Sequence, residues 1–104
     1  MTLRTWGRRS QFQYTGSVET GTDITYGEGR KARVNAHHYV ALRQRFLNRQ
    51  VPVGTSMTDP PANSLGAWLQ ANVTRTAIAS YVGPILVREG YAERVGEHDI
   101  RIIR

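Results

Sequence analysis

The sequence predicts an α+β domain: three helices, a small antiparallel sheet and an N-terminal extension that is irregular or hairpin-forming. Two observations carry the core of this reading. Apolar residues recur at helical spacing in three blocks, all of them after residue 33. The chain then closes on Tyr91 to Val95 and Asp99 to Ile103, two imperfectly alternating runs around Gly96-Glu97-His98, which is the pattern of a hairpin. A third observation sets the extension apart. Residues 1–33 are rich in Gly, Thr and Ser and show no helical period. The division expected is therefore a basic N-terminal arm or hairpin at 1–33 and a helical domain at 34–104.

Within the arm, Phe12, Tyr14, Val18, Ile24 and Tyr26 are able to form a hairpin with its turn near Gly16 to Gly21. Val34 to Arg49 reads as the first helix. Asn35 suits its N-cap, Tyr39, Leu42 and Phe46 with the nearby Val40 and Leu47 give the inward face, and Arg43, Arg45 and Arg49 lie mostly outside near the negative end of the dipole. Val51-Pro52-Val53 is extended, and the proline restricts it to a sheet edge or a strand end. Gly54 to Asn63 is a loop in which Asp59-Pro60-Pro61 forces extended backbone. Ser64 caps the second helix, which places Leu65, Trp68 and Leu69 on one face. Asn72-Val73-Thr74 breaks it, and Thr74 suits the N-cap of the third helix, about 74–89. There Ile78, Val82, Ile85 and Leu86 form one stripe, Gly83-Pro84 predicts a kink, and Gly90 stops the helix.

Residues 72–81, Asn-Val-Thr-Arg-Thr-Ala-Ile-Ala-Ser-Tyr, resemble the turn and recognition helix of winged helix-turn-helix domains. Val73 stands for that pattern's buried aliphatic, Thr74 for its helix-opening hydroxyl and Ile78 for its anchoring β-branched residue. Ile85 to Arg94 is similar to the usual exit into the wing. Trp68 departs from the pattern, standing where a small residue is usual. The resemblance extends over about residues 35–104. It implies a recognition helix at about 74–89, a basic wing at 91–104, and duplex DNA as partner.

Charge points the same way. The chain of 104 residues has 14 basic and 8 acidic residues, a net +6, and every basic residue except Lys31 is arginine. Arginine's planar fork matches phosphate with two parallel hydrogen bonds, so a polyanionic partner is expected. The expected DNA contacts are Thr74, Arg75, Thr76, Ala79 and Ser80 on the helix and Arg94 and Arg101 on the wing. Arg30, Lys31 and Arg33 add a cluster on the arm, and Arg4, Arg8 and Arg9 form a second basic group there.

Other chemistry is sparse. His37 and His38 are adjacent and diverge by about 100° on a helix, so they cannot grip one metal, and the acidic residues are scattered. Neither Ser64 nor Ser80 has the GxSxG setting of an activated nucleophile. No catalytic residue, metal, cofactor or small-molecule substrate is expected. The absence of cysteine, of a leader pattern and of an apolar run of roughly 18 residues fits a cytoplasmic protein off the membrane. The reading is duplex DNA binding, in a regulatory or DNA-processing role. A winged protein-interaction or assembly module, with a protein partner or a homodimer, is the alternative, and a small enzyme or enzyme accessory domain ranks last.

Overall fold

In the computed structural model, which describes residues 1–104, ten elements follow in order. They are β1 (Thr2–Arg4), β2 (Gln11–Ser17), β3 (Gly21–Tyr26), β4 (Arg30–Asn35), α1 (Ala36–Phe46), β5 (Gln50–Pro52), α2 (Leu65–Asn72), α3 (Ala79–Arg88), β6 (Ala92–Val95) and β7 (Asp99–Ile102). β1 to β4 form an antiparallel meander in sequence order. β5, β7 and β6 form a second antiparallel sheet in that spatial order.

The first 33 residues are not a detached arm. Phe12 and Tyr14 alternate with exposed Gln11, Gln13 and Thr15, so β2 buries one face and wets the other. Tyr14 pairs with Ile24, and Thr22 with Val34, which keeps the inward residues of three strands on one face. The tight β2–β3 connection depends on Gly16, at φ +85°. A Cβ there would collide with the Gly21 carbonyl oxygen. Trp6, Phe12, Tyr14, Val18 and Ile24 join Leu42, Leu69, Val82, Ile85 and Ile100 in one continuous core of 22 buried residues. Hence the division at residue 33 separates segments that share a single core.

The helices follow most of the expected stripes with shifted ends. Val40 and Leu47, expected inward, are instead 49% and 45% exposed, because they lie one position beyond Tyr39 and Phe46, about 100° round the helix from the core face. Val34 belongs to β4, so α1 begins after Asn35, whose amide donates to His38 Nδ1 at 3.2 Å. α1 stops at Phe46, and Arg49 lies beyond it. Ser64 Oγ accepts the Ala67 amide at 3.1 Å and caps α2 as expected. Trp68 is half-buried and meets Phe46 edge-on at 6.5 Å. β5 is an edge strand, with Pro52 opposite Asp99.

The third helix differs most from expectation. It begins at Ala79, with Ile78 as N-cap, rather than at Thr74. The Thr74 hydroxyl instead accepts the Thr76 amide at 3.4 Å, a local bond that holds the chain in a turn and competes with helix. Pro84 sits inside the helix, which runs unbroken to Arg88. Proline has no amide to give to the carbonyl four residues back, that of Ser80. That carbonyl is used from outside: the Trp6 amide donates to it at 2.9 Å. Gly83 makes room, since a Cβ there would lie 2.9 Å from Trp6 Cε3. Gly83-Pro84 is thus a socket for Trp6.

Candidate nucleic-acid interface

Trp6 organises the surface as well as the core. Its indole Nε1–H donates to the Glu97 carbonyl at the tip between β6 and β7, 2.7 Å away. The Arg94 guanidinium lies 4.1 Å above the Trp6 ring and donates to the Trp6 carbonyl at 2.9 Å. The β1–β2 turn is thereby fastened to α3 and to the β6–β7 hairpin at once. A cleft of about 840 Å³ opens where these three meet, and Arg8, Arg9, Arg94 and His98 line it with Thr55 and Ser80. A smaller depression of about 240 Å³ adjoins it, sharing Thr5, Trp6, Arg8 and Arg94 and adding Arg4 and Arg88. Five arginines and one histidine therefore share one face, and Glu97 is the only acidic residue lining it.

None of these arginines is neutralised. The single ion pair in the chain joins Arg33 to Asp23 at 2.9 Å, elsewhere on the surface. Burial holds the Arg94 guanidinium below its ordinary pKa, nearby Arg8 pushes the same way, and Glu97 opposes them. Arg8 itself has φ +61°, a left-handed conformation uncommon outside glycine, Asn and Asp. Its amide donates to the Thr5 carbonyl at 2.8 Å, which holds the turn in that shape.

The residues expected to meet DNA, Ala79 apart, fall in five places. Ser80 and Arg94 lie in the basic cleft. Thr76 and Arg30 meet in a separate depression beside Tyr26 and Tyr81, whose rings stack at 4.7 Å. Lys31 and Arg33 stand on the outer face of the meander, Arg33 paired with Asp23. Arg101 is exposed on β7, opposite Gln50 and Glu93. Thr74 and Arg75 lie in the turn before α3, Arg75 exposed, so neither is in a first helical turn.

Ala79 needs correction outright: it is 1% exposed and faces the core. α3 as a whole is a central helix. Ala79, Val82, Gly83, Ile85 and Leu86 are buried, Tyr81 packs on Tyr26 and Phe12, and only Arg88 is exposed. A helix covered in this way has no free face to lay in a major groove. The residues that sequence reasoning left out of the site are Arg4, Arg8, Arg9, Arg88 and His98. The clustered arginines in residues 4–9 were a signal for three of them. What placed those three beside Arg94 is the Trp6 socket, which no local pattern displays.

No group of three His, Cys, Asp or Glu side chains converges as a metal site would require. No helix is long and apolar enough to cross a membrane. No protein-family model, curated protein or solved structure matches the chain.

Proposed function

We propose that this chain is a winged helix-turn-helix variant that binds duplex DNA through phosphate contacts along the β1–β2 turn and the wing. The order α1, β5, α2, α3, β6, β7, with a sheet ordered β5-β7-β6, supports the winged reading of residues 36–102. The observation that carries the binding mode is the face formed by Arg4, Arg8, Arg9, Arg88 and Arg94, all without ion-pair partners. Such a face attracts a polyanion and releases its counterions whatever the base sequence. The interface on this reading keeps Arg94 and Ser80 and replaces insertion of α3 with backbone contact beside it.

Titration of a random-sequence duplex at several salt concentrations tests the proposal. If about five phosphates are contacted, log affinity falls against log salt with a slope of about −4 to −5. Arg4→Gln and Arg88→Gln should each weaken every duplex alike and reduce the slope by about one unit. A flat salt response, or no binding at low salt, overturns the reading.

One observation favours the protein-interaction alternative. Val40 and Leu47 are 49% and 45% exposed and line a shallow depression on α1 with Arg43 and Gln44. On that reading the chain associates in sedimentation runs, and Val40→Glu with Leu47→Glu abolishes the association.

A further inference from the structure

The cleft beside the wing concentrates more positive charge than one internal phosphate of a strand calls for. A phosphodiester carries a single negative charge, whereas a phosphate monoester carries about −1.5 to −2 at pH 7 and offers three acceptor oxygens. Arg8, Arg9 and Arg94 line one concavity of about 840 Å³ together with the hydroxyl side chains of Thr55 and Ser80. We propose that this cleft binds a terminal phosphate monoester, at the end of a nucleic-acid strand whose backbone leaves along Arg4 and Arg88. The inference rests on the nucleic-acid reading above and names which part of the strand the cleft takes.

Three features of the cleft support a built site. Arg94 is held in advance. Its guanidinium is stacked 4.1 Å over Trp6, one N–H is spent on the Trp6 carbonyl at 2.9 Å, and its other donors meet no acceptor in the chain. A fork fixed in this way loses little freedom on meeting phosphate. Arg8 is held at φ +61°, backbone strain of the kind that gathers at ligand sites. Finally, Arg8 disfavours the charge on Arg94, and Glu97 is the only acid lining the cleft. A dianion between them removes that repulsion, which a protein carboxylate would otherwise be expected to do.

The depression shared by Arg4, Arg8, Arg88 and Arg94 gives the strand its path. It begins at the cleft and continues past Pro84 and Val87 along α3. The strand's last phosphate then sits against the β1–β2 turn, and its internal phosphates meet one arginine at a time.

The test compares blunt duplexes of one sequence that differ only in carrying a 5′-phosphate or a 5′-hydroxyl. The phosphorylated duplex should bind about tenfold more tightly, the worth of one added charge-assisted hydrogen bond. Arg8→Gln should bring that ratio to about one, while Arg88→Gln lowers both affinities alike and keeps the ratio. Arg8 is exposed, so its variant is expected to fold, with circular dichroism as control. Millimolar inorganic phosphate should erase the ratio and leave the hydroxyl-ended duplex bound. Equal binding of the two duplexes overturns this inference and leaves the DNA reading standing. Loss of all binding overturns both. A mononucleotide or a phosphoserine peptide that binds as tightly as the phosphorylated duplex also overturns the strand-end assignment, because the cleft then takes the free ester or a phosphoprotein.

Discussion

The Trp6 amide reaches the Ser80 carbonyl at 2.9 Å because Pro84 supplies no amide to compete for it. The adjacent Gly83 leaves the space that the indole fills, with Trp6 only 3% exposed. This relationship makes an unusual sign testable. In an ordinary helix interior, glycine to alanine stabilises by about 1 kcal/mol. Here the new Cβ would lie 2.9 Å from Trp6 Cε3, so Gly83→Ala is expected to destabilise by about 1–3 kcal/mol through overpacking. Urea unfolding with an unchanged slope would measure it. Stabilisation instead would mean that Trp6 is loosely seated.

Arg8→Gly is expected to move stability and binding in opposite directions. Glycine adopts φ +61° without the crowding that a Cβ brings, and the substitution removes a charge set against Arg94. The backbone part should raise stability by about 0.5–1 kcal/mol and persist in high salt. The part due to repulsion should fade as salt screens it. Melting temperatures at low and high salt separate the two, and DNA affinity should fall. A variant less stable than the parent at both salts would show that the Arg8 side chain packs.

Acid should weaken the start of α1. Burial and the neighbouring His37 hold the His38 pKa below its ordinary value, and His38 Nδ1 accepts the Asn35 amide at 3.2 Å. The folded chain therefore binds fewer protons than the unfolded chain just below pH 6.5, and stability must decline as pH falls through that region. Above it the contribution is complete. His38→Gln should flatten this part of the stability profile between about pH 7 and 5. An unchanged profile would place the titration elsewhere.

Alkali should act on the contact between the meander and the end of α3. Glu89 receives the Tyr14 hydroxyl at 2.8 Å and the Val18 amide at 2.9 Å. Burial first, and then the Glu89 bond, push the Tyr14 hydroxyl up to about 12. Its folded pKa exceeds the unfolded one, so its contribution is complete below about pH 10 and lost as pH rises toward 12. Tyr14→Phe should shallow the alkaline decline. Glu89→Gln should cost about 1.5–3 kcal/mol at neutral pH, the range for hydrogen bonds to a charged group. A change under 0.5 kcal/mol, well below that range, would mean water replaces the carboxylate at no loss.

Removing residues 1–33 should unfold the remainder. Trp6, Phe12, Tyr14, Val18 and Ile24 all leave the core. Truncating one buried aromatic costs about 3–5 kcal/mol. The whole stability of a small domain is about 5–15 kcal/mol. Circular dichroism and thermal melting of the truncated chain check this. A cooperative melt with native helix content would restore the arm model.

Local chemistry made the helical half of this fold legible. Ile78, Val82, Ile85 and Leu86 read as one stripe and are all 0% exposed, and Ser64 caps α2 through its hydroxyl. Thr74 misled because a threonine hydroxyl serves a turn as readily as a helix start, and here Thr76 takes it. Phe12, Tyr14 and Ile24 alternate visibly, yet alternation names no packing partner. The partners are α1, where Tyr39 meets Thr22, and α3, where Tyr81 meets Phe12 and Gly83 leaves the space filled by Trp6 from the β1–β2 turn. The same gap explains the site: Arg94 was legible from the wing and Arg8 as one of a basic cluster, whereas their meeting depends on a contact across the chain.

The indole bond from Trp6 to Glu97 spans 91 positions, which gives the chain a demanding order of assembly. On a ribosome adding about 5–20 residues per second, Trp6 waits roughly 5–20 s for that acceptor to be made. Throughout that interval Trp6 and the strands beside it lack the helix and hairpin that cover them. Pairings this distant also lengthen the conformational search and slow refolding relative to helical domains of equal size. Translation thus leaves an aromatic, arginine-rich segment uncovered until the final hairpin emerges.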